Sequence, residues 1–126
     1  MNSSQSVVRL DAYKKSLLPS KVVAPKLTDL SFVRQLKEGR KRMCGCNYWA
    51  VQPTGQYSND CITGNKLAYE YLEFLATGRA FPLQWILEDM RHQQHNGIEV
   101  GFLGTVTNVA AFGAHIAGDR LREIYP

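Results

Sequence analysis

Cysteine and histidine side chains offer the first possibility of chemistry in this sequence. Cys44 and Cys46 flank one glycine in the stretch RMCGCNYW, and in a strand their side chains would point to the same face. Together with Cys61 and His95 they would supply four ligands for a tetrahedral zinc ion. Structural zinc sites usually contain paired C-x2–4-C units, however, and thiol redox motifs are usually C-x-x-C. We therefore predict structural thiols and no metal or other cofactor, with a Cys/His metal-binding protein as an alternative.

A cluster of positive charge directly precedes this cysteine pair. Arg40, Lys41 and Arg42 are consecutive, and charged side chains are rarely buried without a partner, so we expect them on the surface. The predicted binding surface comprises Arg34, Lys37, Arg40, Lys41, Arg42, Tyr48 and Trp49. Arg and Trp are frequent at the energetic centres of protein interfaces, whereas basic side chains beside stacking rings are typical of nucleic-acid binding.

These properties leave three interpretations of the basic cluster. We predict a protein partner with an acidic surface. The first alternative is direct binding of DNA or RNA, and the second is a solvated helix end with Trp49 in the core.

Charge is distributed unevenly along the chain. Residues 1–63 contain ten Lys or Arg and four Asp or Glu, whereas residues 64–126 contain five and seven, so their net charges are +6 and −2. This asymmetry favours a basic binding surface in the N-terminal half. The motifs G-x-S-x-G, H-E-x-x-H and G-x-x-x-x-G-K-[ST] do not occur in the sequence. We predict a non-enzymatic protein with no catalytic residues.

Length and cysteine content indicate one domain in a reducing compartment. The chain has 126 residues, enough for an ordinary domain with its own hydrophobic core. Three cysteines do not form the even set of a secreted disulfide framework, and the first 15 residues lack the apolar segment of a signal peptide. We expect a cytoplasmic protein.

The elements that must position the basic and sulfur-containing residues are mainly helical. Pro19 and Pro25 predict an extended N-terminal arm over residues 1–27, followed by a helical domain over residues 28–126. Residues 26–43 are predicted to form the first helix, because their apolar side chains recur at three-residue spacing. Aromatic content followed by Pro and Gly predicts a short extended or β element near residues 44–51.

Two strong helices are predicted in the second half of the chain. Residues 60–79 place their apolar side chains on one helical face, with Asp60 as N-cap and Gly78 as the left-handed residue that ends the helix. Residues 81–97 form the next helix, which is predicted to stop at Asn96-Gly97.

The C-terminal segment combines a helical period with four glycines. Each glycine in the helix over residues 98–118 costs up to about 1 kcal/mol relative to alanine, so close packing must compensate. We predict that this helix forms the centre of the core, with Gly104 or Gly113 facing another helix at short range. Residues 100–118 carry no charge over 19 positions, near the length of a membrane span. Asn108, His115 and the amphipathic character of the other helices favour an interpretation without a membrane.

These elements predict a mainly α, small single-domain bundle of three to four helices. The stretch GIEVGFL resembles short proteins of bacterial prophages and mobile elements, a likeness that implies no fold, activity or functional residue. We predict a macromolecular interaction protein, such as a phage or mobile-element accessory protein that regulates or inhibits a larger host complex through its basic N-terminal half.

Overall fold

The fold is mainly helical, with one short antiparallel strand pair. The structure, a computed structural model, describes residues 24–36 and 45–126. Its elements, in chain order, are a 3-10 helix Leu27–Asp29, β1 Arg34–Gln35, β2 Cys46–Asn47, α1 Tyr57–Ala76, α2 Leu83–Met90 and α3 Gly97–Ile124. The predicted small helical domain with a short β element is confirmed. The predicted arm lies largely outside the described residues.

The predicted first helix is wrong in its described part. After one 3-10 turn, Leu30 is extended, with φ −73° and ψ 135°, and the chain continues into β1. The turn is held by Glu70 of α1, whose carboxylate accepts hydrogen bonds from the Ser31 amide at 3.1 Å and hydroxyl at 2.6 Å. Phe32 and Val33 are adjacent, and both are buried. An irregular backbone can bury two neighbouring side chains that a surface helix would turn apart, so tertiary packing overrides local propensity here.

Helix α1 matches its predicted face and end but not its predicted start. Leu67, Tyr71 and Phe74 are buried, and Gly78 is left-handed with a φ of 87°. The helix begins three residues before Asp60, which therefore lies in its first turn and is not the N-cap. The Asp60 carboxylate instead holds the preceding loop, accepting from the Thr54 amide at 3.0 Å, the Thr54 hydroxyl at 2.8 Å and the Gly55 amide at 3.2 Å.

The loop contacts of Asp60 predict a stability change in acid. Hydrogen bonds from the Thr54 amide and hydroxyl hold the pKa of the Asp60 carboxyl below its ordinary value. The stability that Asp60 contributes is therefore complete above the ordinary carboxyl pKa and is lost as the pH falls through the lower folded-state pKa. We expect Asp60→Asn to lower the melting temperature at neutral pH, and the difference from wild type to shrink as the pH falls below the ordinary carboxyl pKa. Asp119→Asn, at an exposed carboxylate, is the control. A difference that stays constant with pH would contradict this role.

Asn96 begins a helix and does not end one. Helix α2 stops at Met90, and the Asn96 side-chain oxygen accepts from the amides of Ile98 at 2.9 Å and Glu99 at 3.4 Å. Asn-Gly after an apolar run is ambiguous in sequence, because Asn is favoured both as an N-cap and in turns. Asn96 is thus the N-cap of α3, and the predicted stop is wrong.

Aromatic side chains from every part of the described chain form the core. Phe81, between α1 and α2, is 2% exposed and contacts five other rings at centroid distances of 5.4–6.3 Å. These rings belong to Phe32, Tyr48, Tyr71, Phe74 and Trp85. Phe102 packs against the same cluster, and its ring centroid lies 4.9 Å from that of Trp49. Tilted and edge-to-face pairs predominate, which is the preferred geometry for such rings.

Helices α1 and α3 cross at two glycines and run in the same direction. A Cβ atom on Gly64 would lie 2.7 Å from the Phe102 nitrogen, and one on Gly101 would lie 2.8 Å from the Cys61 carbonyl carbon. Only glycine permits this approach of the two backbones. With its nitrogen towards α3, the Asn65 amide donates to Thr105 Oγ1 and to the Gly101 carbonyl, each at 2.9 Å.

The close glycines are not the ones that the sequence suggested. A Cβ at Gly104 or Gly113 would meet no atom within 4 Å among the described residues, so the prediction for these two positions is wrong. The predicted centre of the core is also too long, because α3 has no buried residue after Phe102. Its first two turns carry the buried residues, and Leu103 and Val106 pack against the core from partly buried positions.

Candidate functional site

The predicted basic surface divides between a described edge and a segment outside the described residues. Arg34 is exposed in β1, where it pairs with Asn47 of β2. Lys37, Arg40, Lys41 and Arg42 lie outside the described residues. We call residues 37–44 the basic connection, because they join the two strands.

The strand pair on either side of the basic connection is tied to the core. The Leu36 amide donates to the Gly45 carbonyl at 2.7 Å, and the Ala50 amide donates to the Phe32 carbonyl at the same distance. The Tyr48 amide donates to the buried carboxylate of Asp89 at 2.7 Å. The residues that flank the basic connection, Leu36 and Gly45, are therefore joined by a backbone hydrogen bond.

Tyr48 and Trp49 belong to the core, which corrects their prediction as binding residues. Their exposed fractions are 6% and 1%. Tyr48 packs against Phe81 and Trp85, and Trp49 packs against Phe32 and Phe102. A ring that is buried to this extent cannot stack on a partner unless the core unfolds. The alternative that placed Trp49 in the core describes this residue correctly.

The described cysteines do not form a metal site with His95. Cys46 and Cys61 are both half-buried thiols, and Cys44 lies outside the described residues. Within residues 24–36 and 45–126, no group of three His, Cys, Asp or Glu side chains is placed to hold a metal ion. A hydrogen bond with Cys61 raises the pKa of Tyr57, so the thiol has a local partner in α1.

A cleft of about 470 Å³ lies where α1 and α3 begin. Its lining includes Thr54, Tyr57, Asp60, His95 and Asn96. The Asp60 carboxylate is occupied by the loop amides, which makes it a positioning group rather than a free base. His95 Nδ1 lies 2.9 Å from Glu99 Oε2, and the His95 side chain is 76% exposed. This pair orients an imidazole at the cleft, but no nucleophile hydrogen-bonds to that imidazole among the described residues.

The projecting part of α3, residues 107–124, is the surface feature that sequence reasoning missed. It extends about 27 Å at 1.5 Å per residue, with non-helical backbone at Ala117. We define its apolar face as Val109, Phe112 and Ile116. Phe112 and Ile116 are 67% and 66% exposed. The uncharged run over residues 100–118 was visible in the sequence. The exposure of its apolar side chains was not, because it depends on where the neighbouring helices end.

The same helix raises the question of a membrane. Helix α3 is long and apolar enough to cross a bilayer by length and composition, and 11% of its most apolar window is buried. That finding is weak by itself, because core helices of soluble proteins meet the same criteria.

Similarity to other proteins does not narrow the choice among these surfaces. Comparisons with protein-family models, curated proteins and solved structures found no match to this chain.

Proposed function

We propose that this protein is a non-enzymatic interaction protein that binds an acidic protein partner through its basic connection. The observation that carries the proposal is the hydrogen bonding of the residues on either side of this segment. A run with four Lys or Arg and one Glu lies in sequence between two paired strands. The Leu36 amide donates to the Gly45 carbonyl, and the Ala50 amide donates to the carbonyl of the buried Phe32. Anchoring both ends lowers the conformational entropy that the segment loses on binding. The proposal includes a cytoplasmic setting and a role as a regulator or inhibitor of a larger complex.

Nucleic acid is the second candidate partner, and one observation weighs against it. The sequence argument for nucleic acid combined basic residues with stacking platforms at Tyr48 and Trp49. Both rings are buried, so only the phosphate-binding part of that argument remains.

Charge reversal of the basic connection tests the proposal. We expect the triple variant Arg40→Glu, Lys41→Glu and Arg42→Glu to lose partner binding while its melting temperature stays within a few degrees of wild type, because charged side chains are rarely buried without a partner. A matched control reverses three exposed cations elsewhere, Lys66, Arg79 and Arg91, and changes the net charge by the same amount. Binding is measured by quantitative mass spectrometry of proteins captured from nuclease-treated host extract.

The outcomes separate the two candidate partners. Proteins that are retained by wild type and by the control variant, and that are lost from the triple variant, would support the proposal. Salt-dependent retention of random-sequence oligonucleotides, lost in the triple variant, would replace it with nucleic-acid binding. Unchanged capture, or a triple variant that does not fold, would show that the basic connection is not a binding surface.

A further inference from the structure

We propose that Asn96 is a modification site, which loses its side-chain amide spontaneously when the start of α3 opens, and that the isoaspartate formed there displaces α3 from α1. This inference is independent of the basic connection. It rests on the hydrogen bonds of the Asn96 side chain, on the packing around Gly97 and on the chemistry of an Asn-Gly pair.

An asparagine that precedes a glycine reacts readily with its own backbone. The nitrogen of the following residue attacks the side-chain carbonyl carbon, and glycine hinders this attack least because it has no side chain. The chain contains six asparagines, and only Asn96 precedes a glycine. The residues that follow the other five are Ser3, Tyr48, Asp60, Lys66 and Val109. Asn96 therefore carries the most labile amide of the unfolded chain.

The fold itself requires this reactive pair. Asn96 is the N-cap of α3, a position that favours Asn, Asp, Ser or Thr. Gly97 lies against the first turn of α1, where an added Cβ atom would lie 2.7 Å from the Tyr57 carbonyl oxygen and 2.9 Å from the Asp60 Cβ atom. A larger residue at position 97 would slow the reaction but would not fit this contact. The close approach of the two helices thus keeps a labile pair at the start of α3.

In the folded chain, hydrogen bonds hold the Asn96 amide at both ends. Its Oδ1 atom accepts from the Ile98 amide at 2.9 Å and from the Glu99 amide at 3.4 Å. Its Nδ2 atom donates to the Gln94 carbonyl at 3.0 Å. Attack requires the Gly97 nitrogen to approach the face of this amide, which these three bonds keep in a fixed orientation. The reaction therefore passes through a local opening at the start of α3.

The reaction consumes water and releases ammonia. The Gly97 nitrogen loses its proton and bonds to Asn96 Cγ, the Cγ–Nδ2 bond breaks, and ammonia leaves with Nδ2 and that proton. Water then adds to one of the two carbonyls of the resulting succinimide. Cleavage at Cγ leaves aspartate at position 96, whereas cleavage at the main-chain carbonyl leaves isoaspartate, in which the main chain runs through Cβ and Cγ. Neither step is an oxidation or a reduction.

The two products differ in their effect on the contact between α1 and α3. Aspartate keeps an acceptor at the N-cap, where a negative charge also complements the helix dipole. Isoaspartate adds one atom to the main chain directly before Gly97 and moves the capping oxygen. Because Tyr57 and Asp60 enclose Gly97, the longer backbone cannot fit unless the start of α3 moves away from α1. The cleft where both helices begin would loosen as a result.

The rate of deamidation tests the role of the fold. The full chain is incubated at mildly alkaline pH, either folded or in urea, and peptide mapping by mass spectrometry follows Asn96. We expect a rate at least about tenfold lower in the folded chain than in urea, because the reaction requires an opened state. Asn108, which precedes the β-branched Val109, is the matched control and should keep its amide in both states. Equal rates would overturn protection by the cap, and an intact Asn96 in urea would overturn the modification site.

Incubation of two variants tests the consequence of the modification. Asn96→Ser retains a favoured N-cap but has no amide to lose, so its melting temperature should stay constant during incubation. Wild type should lose thermal stability in proportion to its isoaspartate content, measured by enzymatic methylation of isoaspartate. Asn96→Asp contains the aspartate product from the start and should melt close to fresh wild type.

Two results would contradict the displacement of α3. One is wild type that accumulates isoaspartate at position 96 without a fall in melting temperature. The other is an Asn96→Asp variant that melts as low as incubated wild type, which would assign the loss of stability to the added charge and not to isoaspartate.

Discussion

Replacing Gly101 with alanine is expected to destabilise the protein by about 3 kcal/mol or more. The added Cβ would overlap the carbonyl oxygen of Cys61 and lie 2.8 Å from its carbonyl carbon. The obstacle is helical backbone in the second turn of α1, so no side-chain rotation can relieve it. Helices α1 and α3 would have to separate at the crossing where they bury Ile98 and Phe102. Urea unfolding followed by circular dichroism measures the loss.

The neighbouring glycines make the prediction specific. Gly64→Ala should be similarly costly, because its Cβ would overlap the Ile98 carbonyl oxygen from the other side of the crossing. Gly104→Ala, one turn further along α3, meets open space and should stabilise by roughly 0.5–1 kcal/mol. If Gly101→Ala and Gly104→Ala shift stability in the same direction, the crossing is not as close as the structure has it.

Truncating Phe81 to alanine is expected to cost about 3–5 kcal/mol, the range for a fully buried aromatic residue. Phe81 contacts five rings contributed by two non-helical segments and two helices, and its carbonyl accepts a hydrogen bond from the buried Tyr71 hydroxyl at 2.7 Å. The cavity would lie at the centre of the cluster, where collapse of one neighbour opens a gap beside another.

Tyr125→Ala is the matched control for this truncation. Tyr125 is 76% exposed, so removing its ring should change stability by less than about 0.5 kcal/mol. Differential scanning calorimetry compares the two variants with wild type. A Phe81→Ala protein that melts within a degree or two of wild type would show that the aromatic cluster does not form the core.

Local sequence was sufficient to predict secondary structure where a long segment has one strong pattern. The apolar side chains of α1 repeat with the helical period through Leu67, Tyr71 and Phe74, and Gly78 ends the helix in the left-handed conformation that glycine adopts without strain. The helical character of residues 98–118 was clear for the same reason, in spite of its glycines. The short extended or β element predicted near residues 44–51 followed from aromatic content and nearby turn residues, and β2 lies within it at Cys46–Asn47.

Short apolar patterns did not predict the secondary structure correctly. Leu30 and Val33 are spaced as in a helix, but Phe32 is buried beside them and the segment is extended. A hydrogen bond to Glu70, 39 positions away, holds the turn at Ser31, and no local rule contains that information. The buried positions of Tyr48 and Trp49 have the same origin, since a Tyr-Trp pair suits an interface and a core equally.

By itself, the sequence determined the helical class, the buried face and the end of α1, the helical C-terminal segment and the presence of a concentrated positive charge. These depend on residue type and on periodicity within one segment. The tertiary structure decided which glycines meet, which aromatic residues are buried and where α3 leaves the core. Those properties depend on the relative positions of two segments. Gly101 and Gly104 are the same residue type in the same helix. The Cys61 backbone of α1 lies against Gly101 and not against Gly104, so we expect only Gly104 to tolerate a side chain.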